Sequence, residues 1–365
     1  MIVEELASNC KASLCFLCVP PLKCGVRVLL VKLSSMGDVI HNLPVVTDLV
    51  RAFPDIEIDW VCEAPYVDLV ALHPSVNQIF PVHLRALKKQ WWRLSLWAQL
   101  VDERRQLAVP HYDAVIDTQG LVKSAVIARG AHQIISGFNK SSAREPFAAK
   151  FYGRTFDIAR NQHAVERNRQ LVAAAMGYEI SCPAAYGLRP ETPRPAWLSS
   201  QMYVVLLHAT SRADKQWPLD NWVALAKKIN DRGLMVVLPW GSEKEKSVSD
   251  KIASTLAHAT VPPAMNLNEA ARLLAHAAGV VGVDTGLAHL SVAFERPTVG
   301  IYVTTEPALT GLHGSAGATN HGSAGAVKNG GASAINLGGG SPAKPSNPSV
   351  EAVFEALLPH LPPPA

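Results

Sequence analysis

In Gly282-Val283-Asp284-Thr285-Gly286-Leu287-Ala288-His289 an apolar strand ends at Asp284 and a helix begins a residue or two later. The free N–H groups of Gly286, Leu287 and Ala288 would face outward at that helix N-terminus, whose partial positive charge suits a diphosphate. Gly286 lets an anion approach the backbone closely. An ordinary helix cap made by Asp284 and Thr285 accounts for the same residues. A second polar turn, His208-Ala209-Thr210-Ser211-Arg212-Ala213-Asp214-Lys215, sets two hydroxyls and two cations between a strand end and a helix. Lys215 is placed to offset charge on a departing phosphate, a solvated loop lysine being the plainer reading. Glu243 and Glu245 follow a third strand end at Pro239-Trp240, where a carboxylate often takes a ribose hydroxyl pair; both could equally be helix N-terminal charges. Ser34-Ser35-Met36-Gly37-Asp38 makes a fourth turn. It has neither the GxGxxG of a dinucleotide site nor the GK[ST] of a P-loop, so neither is supported. A lone carboxylate there can act as general base toward a hydroxyl, or Asp38 is simply a helix N-cap.

These turns need sheets to hold them. Val26–Val31 is an apolar run of the kind buried in a parallel sheet, followed by a helical pattern over Val39–Phe53 and a strand at Ile56–Val61, a βαβ unit opening a Rossmann-like domain. Asp113–Asp117 reads as a later strand of that sheet. The proline-rich passage Pro183–Pro195 looks like a linker, after which strands (Tyr203–His208, Leu234–Pro239, Val280–Val283, Thr298–Tyr302) and helices (Leu219–Asn230, Leu267–His276, Ala288–Phe294) alternate again. Two wound sheets place a site in the cleft between them, at the carboxyl ends of the strands. The spacing predicts a first Rossmann-like domain over 25–185, a linker over 186–200 and a second over 201–310. From Gly311 to Ser349 the chain holds ten of its 24 glycines and no Phe, Trp or Tyr, and is expected to be a flexible segment before a closing helix in 350–365.

Composition sets the bounds. At 365 residues with 48% hydrophobic and 18% charged, the chain can bury two cores, and wholesale disorder is excluded. The net charge of +4 does not make the molecule a nucleic-acid polyelectrolyte. Yet Arg85–Arg169 carries 15 Lys/Arg against 7 Asp/Glu, an excess of eight, which points to an anionic partner for that half. Within it, Arg85 to Trp97 mixes cations with Trp91, Trp92 and Trp97: either a helix at an anionic membrane surface or an amphipathic helix with its indoles in the core. No stretch reaches the roughly 18–20 apolar residues of a membrane span. Ala12–Leu22 follows Glu4 and Glu5 rather than a basic run, so no export leader is expected. Cys10, Cys15, Cys18 and Cys24 lie in 1–24, read as an extension outside the fold; their spacing lacks a histidine or second CxxC to make a metal site.

Several segments together carry a resemblance: Val28–His41 with Ser34-Ser35-Met36-Gly37-Asp38, Asp117-Thr-Gln-Gly-Leu-Val-Lys123, Ser142-Ala-Arg144-Glu-Pro, Gln162-His-Ala-Val-Glu-Arg167, His208–Pro218 and Val283–His289. In that order, from about Val26 to Tyr302, the chain resembles the heptosyltransferases of glycosyltransferase family 9, and among them the enzymes adding the first heptose of lipopolysaccharide. After Tyr302 it reads Val303-Thr304-Thr305-Glu306-Pro307 where that family usually has Gly-Pro-Thr-Asp-Pro. The resemblance implies a GT-B fold, two Rossmann-like domains facing each other across a cleft. It implies inverting transfer of L-glycero-D-manno-heptose from ADP-heptose to the Kdo of Kdo-lipid A, with no metal, at the cytoplasmic face of a Gram-negative inner membrane. By position, Asp38 would be the base; Thr210, Ser211 and Lys215 would hold the diphosphate, Glu245 the ribose and Met265 the adenine. Asp284, Thr285, Gly286, Leu287 and His289 would contact sugar and diphosphate. Ser34, Ser35, Arg85, Lys89, Lys123, Arg144 and Arg167 would face the acceptor. A catalytically silent protein binding nucleotide sugar or anionic lipid, or a sibling enzyme acting on a later core sugar, would share these features.

Overall fold

A computed structural model gives the fold and describes residues 25–188, 193–210, 212–315, 319–321 and 334–363. The expected N-terminal extension with its four cysteines, Ser211, part of the linker and much of the glycine-rich stretch lie outside the described residues.

The first lobe is a six-stranded parallel sheet in the order β3-β2-β1-β4-β5-β6. Its strands are β1 (Arg27–Val31), β2 (Glu57–Glu63), β3 (Val76–Val82), β4 (Ala114–Asp117), β5 (Ile135–Phe138) and β6 (Arg154–Phe156). Val28 to Val31 are wholly buried, which is why this strand reads as a continuous apolar run with no alternation. Its one charged residue, Arg27, is held at the strand start by Asp59, at 2.8 Å. The second lobe repeats the plan with β7 (Tyr203–Leu207), β8 (Met235–Val237), β9 (Ala259–Thr260), β10 (Gly279–Val283), β11 (Thr298–Tyr302), β12 (Thr319–His321) and β13 (Ala334–Gly338), in the order β12-β13-β11-β10-β7-β8-β9. In each sheet the order reverses at the first strand of the lobe, so the crevice opens beside the carboxyl ends of β1 and β4 in one and β7 and β10 in the other.

Two expectations are corrected. The helix read over Val39–Phe53 is two helices, Met36–Ile40 and Leu43–Ala52. Pro44 has no N–H for the Ile40 carbonyl and its ring clashes with a continuing turn, so the chain restarts at Asn42. The segment Gly311–Ser349 is not flexible throughout. Ala334–Gly338 is a fully buried strand paired in parallel with Thr298–Tyr302, and the Asn336 side chain both accepts from Leu312 N and donates to Leu312 O. The composition argument failed because five residues, Ala-Ile-Asn-Leu-Gly, are enough for a core strand. The described part of the linker is packed: Tyr186 and Leu198 are buried in a core that runs from one lobe into the other, and the Tyr186 hydroxyl donates to the His313 carbonyl at 2.6 Å. A second cross-lobe bond runs from His163 Nε2, at the start of helix Ala164–Met176, to the carbonyl of Gly311 at 3.1 Å.

Candidate active site

Between the lobes lies a cleft of about 1080 Å³. On its first-lobe side β1 runs into Lys32 and the Leu33–Ser35 turn, which Gln119 clamps: its Oε1 accepts from Leu33 N and Ser34 N, and its Nε2 donates to Ser34 O. Gln119 is fixed in turn by Asp117, whose buried carboxylate accepts from Gln119 N, Gly120 N, Ser124 Oγ and Tyr152 Oη. Asp38 is the third residue of the short helix, not its cap. Ser35 is the N-cap, and the Asp38 carboxylate accepts from Ser35 N (2.8 Å) and Ser35 Oγ (3.0 Å). A capping box of this kind fixes the side chain on the cleft wall, with Arg144 at 3.9 Å.

On the opposite wall, helix Gly286–Ala293 starts at the mouth of β10, with Thr285 as an N-cap that makes no side-chain bond to the helix. Among the described residues the N–H groups of Gly286 and Leu287 are therefore available to a ligand, whereas that of Ala288, expected to be free, donates to the Thr285 carbonyl at 3.1 Å. Gly286 abuts the other lobe: a Cβ there would lie 2.4 Å from Met36 Sδ. Asp284 does not cap; it takes Lys215 Nζ at 2.5 Å and Thr305 Oγ1 at 3.0 Å. Thr210 Oγ1 donates to the Asp284 carbonyl, and Thr304 Oγ1 donates to Asp214, itself paired with Arg212. The Val303–Pro307 segment, where the sequence departs from the usual pattern, thus supplies two hydroxyls that hold the polar turn and its aspartate in place.

Of the sequence-predicted residues, one cavity gathers Ser35, Asp38, Arg85, Arg144, Arg167, Thr210, Lys215, Asp284, Thr285, Gly286 and His289. Ser34 lies just behind it, its hydroxyl accepting from Lys123 Nζ at 3.3 Å. Lys89 is exposed on helix Leu84–Lys89. Glu245, Met265 and Leu287 are not among the cavity-lining residues: Glu245 accepts from Gly241 N at 2.7 Å, and Met265 and Leu287 pack against the core. Arg167 is partly spent on the carbonyls of Ser142 and Ala159.

Sequence reasoning missed Lys32, His41, Asn168 and Thr305. Lys32 is a buried ammonium at the end of an apolar strand, donating to Thr118 O (2.7 Å) and Asn168 Oδ1 (3.3 Å). Burial pulls it down to about 8 against the opposing pull of Asp38 and Asp117. A charged residue closing a continuous apolar run was the signal available. Among the described residues no cluster of His, Cys, Asp or Glu is arranged to hold a metal ion.

Four histidines line the seam between the lobes. His41 and His289 are hydrogen-bonded, His41 meets His163 edge-on, and His163 lies against His313, which is 3.7 Å from Glu166. Burial lowers all four, His163 to about 3. A histidine held neutral in the fold but free to charge when unfolded stabilises the protein above its ordinary value of 6.5 and loses that contribution as pH falls. His163 alone removes about 1.4 kcal/mol per pH unit between 6.5 and its folded value. Denaturant titrations from pH 7.5 to 5 are expected to show falling stability, with a shallower fall in His163→Asn; a flat profile would refute the charge assignment.

The sequence profile of Glycosyltransferase family 9 (heptosyltransferase) matches residues 101–328. The chain is similar to Lipopolysaccharide heptosyltransferase 1 of Salmonella typhimurium (strain LT2), 43% identical over 290 residues that span 79% of this chain and 92% of that protein. The fold is similar to that of E. coli heptosyltransferase WaaC with ADP, with a TM-score of 0.81 and 37% identity over 92% of this chain and all of that one. It is also similar to the same enzyme with ADP-2-deoxy-2-fluoro heptose, with a TM-score of 0.73 and 42% identity, covering 77% of this chain and 90% of that one.

Proposed function

The chain belongs to glycosyltransferase family 9, the heptosyltransferases, and we propose that it moves L-glycero-D-manno-heptose from ADP-heptose to the Kdo of Kdo-lipid A with inversion at the anomeric carbon. One observation carries this reading: a carboxylate on the rim of the first sheet and a helix N-terminus flanked by a lysine on the rim of the second share one cleft. The diphosphate sits on the N–H groups at Gly286 with Thr210 and Lys215 beside it. The Asp38 carboxylate takes the proton of the acceptor hydroxyl as that oxygen bonds to the anomeric carbon from the face opposite the nucleotide. The bond from that carbon to the phosphate oxygen breaks with its electron pair on ADP, whose new charge Lys215 and the helix terminus offset. Ser35, Arg85, Arg144 and Arg167 offer donors and positive charge to the anionic acceptor. Glu245 and Met265 remain assigned to ribose and adenine, and Lys89 and Lys123 to acceptor phosphates. The test is release of ADP from ADP-heptose with and without Kdo-lipid A. Acceptor-dependent release supports transfer; nucleotide binding without it would support the silent alternative.

The enzyme acts at an anionic membrane surface. No helix among the described residues is long and apolar enough to cross a membrane. The indoles that could have been core are outside it: Trp91 is 67% exposed, Trp92 63% and Trp97 48%, beside Leu94 at 83%. They lie where helix Leu84–Lys89 gives way to helix Leu94–Leu107, with Lys88, Lys89 and Arg93 alongside. Amphipathic rings among cations suit a headgroup layer. Replacing Trp91 and Trp92 together by Ser is expected to weaken binding to anionic vesicles about tenfold or more, with transfer to a soluble acceptor unchanged. Unaltered vesicle binding would remove the membrane role of this segment.

A further inference from the structure

Two buried imidazoles meet where the lobes touch. His41, at the end of helix Met36–Ile40, brings Nε2 to 3.1 Å from Nδ1 of His289 on helix Gly286–Ala293, the ring planes at 83°. His41 belongs to the lobe of Asp38, and His289 to the lobe of the phosphate-facing helix. Burial holds both below their ordinary value, so each carries a single proton near neutrality and one ring must donate to the other.

Two arrangements are then open. If His289 donates from Nδ1, its Nε2 is a bare lone pair turned toward Asp284 Oδ1, 4.0 Å away. His41 would then carry its proton on Nδ1, which is buried and has no hydrogen-bond partner among the described residues. That arrangement sets a lone pair against a carboxylate and orphans a buried N–H, a rare and costly state. If His41 donates from Nε2 instead, its Nδ1 is only a bare acceptor. His289 keeps its proton on Nε2, facing Asp284 and the cleft it lines. The clash with the carboxylate is gone, and the buried Nδ1 is left an unpartnered acceptor in place of an unpartnered donor, the less costly of the two.

We infer that His41 is a positioning residue: its Nε2–H, donated across the lobe boundary, fixes His289 as a donor into the cleft. An imidazole so fixed offers N–H to a phosphate or sugar oxygen and cannot accept from one. The same bond ties the short helix of Asp38 to the helix that holds the diphosphate, so the two walls of the cleft are registered through one pair of rings. This use of the donated N–H rests on the donor site proposed above; the tautomer itself does not.

The direct test is ¹⁵N NMR of the full chain labelled at histidine, without ligand, since protonated and bare ring nitrogens have well-separated shifts. The expected result is His289 protonated at Nε2 and bare at Nδ1. The reverse pattern overturns the inference without any substitution. Function supplies a second readout. His41→Leu, which removes the donor, is expected to lower kcat about 10- to 100-fold, and His41→Gln, which keeps an N–H near the Nε2 position, to recover most of it. Full activity in His41→Leu, or equal losses in both variants with His289 unchanged, overturns it. Addition of ADP separates the two ideas: a His289 pattern as expected that does not respond to ADP supports the positioning role while contradicting the donor site.

Discussion

Replacing Asp38 by Asn is expected to lower acceptor-dependent ADP release about 10³-fold or more, while affinity for ADP-heptose changes by less than about threefold. Asn is the informative substitution because Asp38 has two jobs in this structure. Its carboxylate accepts from Ser35 N and Ser35 Oγ and so holds the first turn of helix Met36–Ile40. Ala would remove that cap as well, at a cost of about 1 kcal/mol in local stability, and blur the chemical effect. The Asn carbonyl can still accept from Ser35, so the turn persists while the proton acceptor is lost. Rates are read under saturating donor and acceptor, with the melting temperature as a control on folding. A rate within tenfold of the parent at unchanged stability would remove Asp38 as the base.

Replacing Lys215 by Met is expected to cost about 10²–10³-fold in kcat, with weaker ADP binding in addition. The Lys215 ammonium rests on Asp284 Oδ2, where the Thr305 hydroxyl also donates. Asp284 therefore holds the cation at the mouth of the proposed diphosphate site instead of extended into solvent. Met keeps the aliphatic stem and removes the charge. It also leaves a partly buried Asp284 with no cation, which repels a diphosphate, so part of the loss in ADP affinity belongs to Asp284. Asp284→Asn in the Lys215→Met background is therefore expected to recover some ADP affinity but not kcat. Recovery of both together would mean that Lys215 acts only by neutralising Asp284.

What the sequence made legible followed local periodicity. The apolar runs of β1, β7, β10 and β11 and the amphipathic Leu219–Asn230 helix register within a few residues, and their order fixes two wound sheets with a crevice between them. The polar turns at the strand ends could be read because each lies between a strand and a helix. What stayed hidden depends on partners far along the chain. Lys32 is held by groups 86 and 136 residues away, and His41 by one 248 residues away, separations that leave no local pattern. Ala334–Gly338 was masked by its glycine-rich neighbours. Trp91 and Trp92 were ambiguous for a different reason: cations and indoles read as one helix fit a core face and a membrane face equally, whereas the structure breaks that segment into two helices and leaves both indoles exposed in the turn between them.

In the proposed mechanism the donor lies across the cleft, its diphosphate on the N-terminus of helix Gly286–Ala293 and its anomeric carbon turned toward Asp38. A crystal structure of the enzyme with ADP-heptose tests it most directly. The expected structure has phosphate oxygens on the backbone N–H groups at Gly286, Lys215 moved from Asp284 onto the diphosphate, and space for an acceptor hydroxyl between Asp38 and the sugar. Nucleotide seated elsewhere, or an anomeric carbon facing away from Asp38, would contradict it.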